Sequence, residues 1–175
     1  MSNAQSGVEA AAGFLTVVDS PIQGLIGGYL ILNALGRPLE FHCTAPIKPN
    51  RAQEILYGPT LQPFIYGEQI GQTLVRATQL KVPMVLTDLA LVLATAELVK
   101  EPIVLLMPDG AGGAAPARGQ TILEAAGRRM ALASGRQSDR DAVLAATAKL
   151  GESFDWAEPF GRIRDAIGEA QRAAA

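Results

Sequence analysis

The stretch Gly28-Tyr29-Leu30-Ile31-Leu32-Asn33-Ala34-Leu35-Gly36-Arg37-Pro38-Leu39-Glu40-Phe41-His42-Cys43-Thr44 decides the reading of this chain. Two runs of β-forming residues flank Asn33-Ala34-Leu35-Gly36, where Gly36 can take the positive φ that a tight turn needs. The stretch is therefore expected to be a β-hairpin. It also holds the single histidine and the single cysteine of the chain. Neighbouring residues on a strand point to opposite faces, so His42 and Cys43 are not expected to share a site. Leu39, Phe41 and Cys43 form one face, expected to be the core face. Glu40, His42 and Thr44 form the other, expected to be the outer one.

Working outward, residues 13–19 read as a strand closed by Asp19-Ser20-Pro21, and Gly24, Gly27 and Gly28 as a loose loop after it. Residues 50–80 read as helical in two pieces. Asn50 with Gln53 forms a capping box, Gly58-Pro59 breaks the first piece, and Thr60 can cap the second. The second piece carries an apolar arc of roughly 200°, against the ~100° stripe of an ordinary surface helix. Gly67 and Gly71 lie on that arc and allow close backbone approach. Residues 81–87 and 103–107 read as buried strands. The run 89–99 between them is expected to be helical, with a strand as the rival reading. This β-α-β order makes the two strands parallel.

Charge density rises along the chain: 14 charged residues lie in the first 108 positions and 18 in the last 67. An apolar α/β body over 1–108, a Gly/Ala/Pro linker over 109–119 and a helical C-terminal segment over 120–175 are expected. Thr121 and Glu124 have the spacing of a capping box and suggest a helix over 121–133. Two further helices are expected over 138–150 and 157–172, the last with Trp156, Phe160, Ile163 and Ile167 along one stripe. The fold class is α/β, with mixed α+β as the alternative, on a mixed sheet of about five strands. Over residues 13–80 the hairpin-then-helix order is similar to the profilin-like folds of roadblock and longin modules. The helix expected at 89–99 departs from that pattern.

The chain has 175 residues, 49% of them apolar, with a net charge of −2. That composition reads as globular, with no basic run to mark a nucleic-acid partner. One cysteine excludes an intrachain disulfide and a cysteine-rich zinc site and fits a reducing cytoplasm. No basic-then-apolar leader opens the chain, and the apolar run 82–99 is interrupted by Thr87, Asp88 and Glu97. Neither a secretory leader nor a membrane span is expected.

Three groups of residues could carry chemistry. Glu40 and His42 project together, and a carboxylate beside an imidazole can orient it for acid–base work. Asp19, Asp88 and Asp109 each end an apolar run. On parallel strands they would gather at the edge where open α/β sheets bind ligands, as a site for a hard cation such as magnesium. Tyr57, Phe64 and Tyr66, with Arg76 on the polar arc, could line a small ligand pocket. Residues 110–115 match G-x-G-x-x-A, but Pro116 follows and no later strand is visible, so a linker is the better reading. No phosphate-binding loop, nucleophile elbow, zinc-protease motif or calcium loop is present. The sparse chemistry and the wide apolar arc point to a non-catalytic module that self-associates as a homo-oligomer or binds a partner. No cofactor, nucleic acid or membrane is expected, and a small-molecule ligand is possible. The alternatives are a metal-dependent enzyme on the strand-end aspartates and a small-molecule sensor.

Overall fold

A computed structural model describes residues 9–110 and 117–175 of the chain. Among the described residues, seven strands form one mixed sheet. They are β1 (Ala12–Ser20), β2 (Gly24–Leu32), β3 (Pro38–Cys43), β4 (Val85–Thr87), β5 (Ile103–Leu106), β6 (Thr121–Ala125) and β7 (Arg128–Leu132). The order across the sheet is β3-β2-β1-β4-β5-β7-β6. β1, β2 and β3 form an antiparallel meander. β4 joins β1 in parallel and β5 joins β4 in parallel, as the β-α-β reading requires. The class is α/β as expected, with two more strands than the sequence suggested.

The helices α1 (Arg51–Tyr57), α2 (Leu61–Pro63), α3 (Thr73–Ala77), α4 (Arg140–Ala148) and α5 (Glu158–Ala173) flank this sheet. Between α2 and α3 the chain continues as a π-helix, Phe64–Gln72, so 61–77 is one unbroken helical run. Asn50 and Gln53 make the reciprocal capping box, and the first piece stops at Gly58 as expected. Thr60 does not cap the second piece. Its hydroxyl donates to the Tyr57 carbonyl at 2.6 Å instead. The segment Ala90–Glu97 is a 3-10 helix rather than a strand.

Alternation along β1 splits the core in two. Phe14 joins Leu30, Leu86, Val104 and Met130 beneath Trp156, Phe160, Ile163 and Ile167. Leu15 and Val17 join Tyr29, Ile31 and Val85 beneath Ile65, Ile70, Leu74, Val92 and Leu93. Helices therefore cover both faces, as a largely buried sheet requires. The wide apolar arc at 61–77 is explained by this layer. One side meets the sheet, and Gly67 and Gly71 bring the backbone against Ala94 and Thr95 of the 3-10 segment.

Two local expectations are corrected. Gly27 and Gly28 are not in a loop but in the middle of β2, where close packing from both sides selects glycine. A Cβ on Gly27 would lie 2.2 Å from Ile70 Cγ2, and one on Gly28 would lie 2.3 Å from Ile163 Cγ2. Residues 121–132 are a β-hairpin, not a helix. Ala126 and Gly127 both have positive φ (51° and 71°), the two-residue turn that suits the right-handed twist of paired strands. Leu123 and Met130 are paired across it and enter the core. Because β7 pairs with β5, the sheet runs through both of the expected parts of the chain. Residues 111–116 of the expected linker lie outside the described residues. The expected likeness over 13–80 reaches no further than the hairpin-then-helix order, since β4 then enters the sheet parallel to β1. Among the described residues, no helix is long and apolar enough to cross a membrane.

Candidate functional site

β3 is an edge strand, and from Glu40 to Cys43 its two faces are the reverse of the expected ones. Glu40 and His42 stand beside Ile31 and Tyr29 of β2, on the face covered by the 61–77 helical run. Phe41 and Cys43 stand on the face of α5, which packs on β1 and β2. There Phe41 is 40% exposed, and Cys43 is exposed too. Alternation holds from Glu40 to Cys43 with its polarity reversed, whereas Leu39, the extra residue at the bulge opposite Ile31 and Leu32, packs with the cluster on the 61–77 face instead of sharing the face of Phe41 and Cys43. A strand's pattern cannot say which neighbouring helix reaches the sheet edge.

The Glu40 Oε2 and His42 Nε2 atoms are 2.7 Å apart. Glu40 is held on its other side by the turn that follows α3. Its carboxylate accepts from the Thr78 hydroxyl at 3.1 Å, the Leu80 amide at 3.0 Å and the Gln79 amide at 3.2 Å. The hydrogen bond with His42, aided by those from Gln79 and Thr78, holds the Glu40 carboxyl below its ordinary range, against partial burial. Glu40 is then an ionised acceptor at neutral pH. His42 Nε2 is then the donor in this contact, and in the neutral imidazole Nδ1 is the nitrogen that can accept a proton. Beside the imidazole runs a groove of about 720 Å³, walled by Phe41, Cys43, Thr44, Gln69, Thr73 and Leu74. Thr78 and Gln79 were invisible as site residues in the sequence because they lie 38 and 39 positions from Glu40.

The three strand-end aspartates do not converge. Leu15, Thr87 and Leu105 lie in register across β1, β4 and β5. Asp88 follows that level at once, whereas Asp19, still within β1, lies four residues beyond it, ~13 Å at strand rise, and Asp109 lies three residues past the end of β5. Asp88 instead accepts from the buried Thr16 hydroxyl at 2.7 Å and meets the Arg164 guanidinium of α5. Asp109 meets Arg128 of β7. Each of these two carboxylates is balanced by its own arginine rather than left for a shared cation. Among the described residues, no group of three or more His, Cys, Asp or Glu side chains comes together as a metal site. Thr16, a polar residue inside the apolar run 13–18, was the sequence signal for the Asp88 contact.

The aromatic candidates also separate. Tyr57 stacks on Phe64 with ring centroids 4.5 Å apart, over a cavity of about 240 Å³. Tyr66 lines a different cavity of about 360 Å³ with Asp19, Lys48 and Ile65. Burial, then the Asp19 charge, pushes the Tyr66 phenol above its ordinary value. Arg76 is exposed on α3 and lines neither cavity.

No family model matches the chain, and no curated protein does. Among solved structures, the endonuclease V of Ciona intestinalis, in complex with a 23mer DNA containing an inosine followed by a ribo-adenosine, matches with a TM-score of 0.46. Identity is 9%, over 91% of this chain and 86% of that one. This match corrects two expectations: that the chain is a quiet module that self-associates or binds a partner, and that nucleic acid can be set aside. The similar structure is an enzyme bound to DNA. At that score and identity, the likeness transfers no activity, ligand or site residue to this chain.

Proposed function

We propose that the chain is an enzyme whose working site is the groove beside β3. His42 is its general acid–base group, and Glu40 is the residue that positions it. One observation carries the reading: the 2.7 Å contact between Glu40 and His42, with Glu40 itself fixed by Thr78, Gln79 and Leu80. A carboxylate that orients an imidazole through one nitrogen leaves the other to take a proton from a reacting group, and such groups contribute about 10²–10⁴-fold to rate. Nδ1 takes that proton, and Glu40 steadies the imidazolium that results. A cytoplasmic location belongs to the same reading and is supported by the exposed free thiol of Cys43.

The test is hydrolysis of p-nitrophenyl acetate, an activated ester that any accessible imidazole can attack. The chain should exceed an equal concentration of free imidazole by at least tenfold. His42→Gln should remove the excess, and Glu40→Gln should reduce it with the fold intact. A rate equal to that of free imidazole, or one unchanged in His42→Gln, refutes the assignment.

A further inference from the structure

We infer that the groove beside His42 takes an extended polypeptide, which adds to β3 as an eighth strand. This names the substrate class of the proposed site and rests on that proposal. The phase of backbone pairing carries it. The Thr44 amide donates to the Gly27 carbonyl at 2.9 Å. In the antiparallel register of β2 and β3, this makes Tyr29–His42 and Ile31–Glu40 the pairs that exchange backbone hydrogen bonds. The N–H and C=O groups of Phe41 and Cys43 consequently turn away from β2, toward the open edge of the sheet. Pro38 and Pro46 bracket this edge and offer it no donor.

An unpaired strand edge is a template for one chemistry, an extended peptide backbone. The side chains set its pattern. Exposed Phe41 and Cys43 offer an apolar surface on one face, and Gln69 and Thr73 line the groove on the other. An added strand with apolar and polar residues in alternation meets both. Its residue opposite His42 would occupy a pair without mutual backbone hydrogen bonds. The Cβ atoms of such pairs are ~4.5–5.5 Å apart. The imidazole therefore faces a side chain of the bound polypeptide rather than its main chain, and the proton passes between Nδ1 and that side chain.

The experiment is amide hydrogen exchange by NMR on the full chain, with and without the blocked hexapeptide acetyl-Val-Thr-Val-Thr-Val-Thr-amide. At saturation, exchange of the Phe41 and Cys43 amides should slow by tenfold or more. Cys43→Pro removes an outward donor that the β2 ladder does not use, and it should abolish the protection. Should that variant not fold, Phe41→Lys, which places a charge on the edge, should weaken binding at least tenfold. No protection, protection elsewhere, or protection that appears without peptide as protein concentration rises overturns the inference. His42→Gln should still bind. Peptide binding without His42-dependent ester turnover sinks the acid–base reading alone, and turnover without edge protection sinks the strand reading alone.

Discussion

Gly28 of β2 lies directly beneath Ile163 of α5, so close that a β-carbon on Gly28 would stand 2.3 Å from Ile163 Cγ2. Ile163 is fully buried and anchors the last helix to the meander. Gly28→Ala should destabilise the chain by about 1–3 kcal/mol through overpacking. Ile163→Ala should cost about 2–5 kcal/mol alone. The double variant should lose less than the sum, because each change makes room for the other. Urea denaturation of the four proteins checks this. Strict additivity would mean that the two residues do not press on each other.

Arg136 ties the end of β7 to the loop before β5. Its guanidinium donates to the carbonyls of Val99 at 3.0 Å, Lys100 at 2.9 Å and Glu101 at 3.3 Å, and also to Ala96. Asp139 accepts from its Nε at 2.7 Å. A lysine ammonium cannot serve this planar set of acceptors. Arg136→Lys should cost about 1–3 kcal/mol, as carbonyls lose a charged donor. A thermal midpoint unchanged within error would contradict this.

The β6–β7 turn carries a correctable strain. Ala126 is the one non-glycine residue with positive φ among the described residues. Asparagine tolerates that conformation better than alanine, and Asn-Gly is a favoured pair in this turn. Ala126→Asn should raise stability by about 0.5–1 kcal/mol, read as a higher urea midpoint with an unchanged slope.

Glu40 should leave a mark on acid stability. Its carboxyl is held below the ordinary 4.5 in the folded chain. A depressed carboxyl stabilises the fold above its unfolded value, and the contribution is lost as pH falls through the folded one. The wild-type midpoint should therefore drop as the pH is lowered below about 4.5, and Glu40→Gln should flatten that part of the curve. Parallel curves for the two proteins from neutral pH to pH 3 would show that Glu40 is not selectively stabilised when folded.

Local signals were legible along the chain. The 33–36 turn, the Asn50–Gln53 box, the Gly58-Pro59 break and the Trp156, Phe160, Ile163 and Ile167 stripe all depend on residues within a few positions of one another. The 121–132 hairpin reads as a helix in the sequence, although the Ala126-Gly127 turn and the Leu123, Met130 and Leu132 alternation belong to it. Its Thr121/Glu124 spacing imitated a helix cap and hid it.

What the sequence by itself determined is therefore the hairpin around the 33–36 turn, the helices near 51–57, 140–148 and 158–173 and the pairing of Glu40 with His42 on one side of β3. Tertiary structure decided which side that is. The 61–77 run covers Glu40 and His42, and α5 packs on β1 and β2 without burying Phe41 or Cys43. It also decided the fate of the aspartates, because strand register sets Asp19 three residues past the level of Asp88, and Asp109 lies beyond the end of β5. Alternation is a property of one strand, whereas the covering of a face and the level of a residue depend on elements distant in the chain. Only packing brings those elements together.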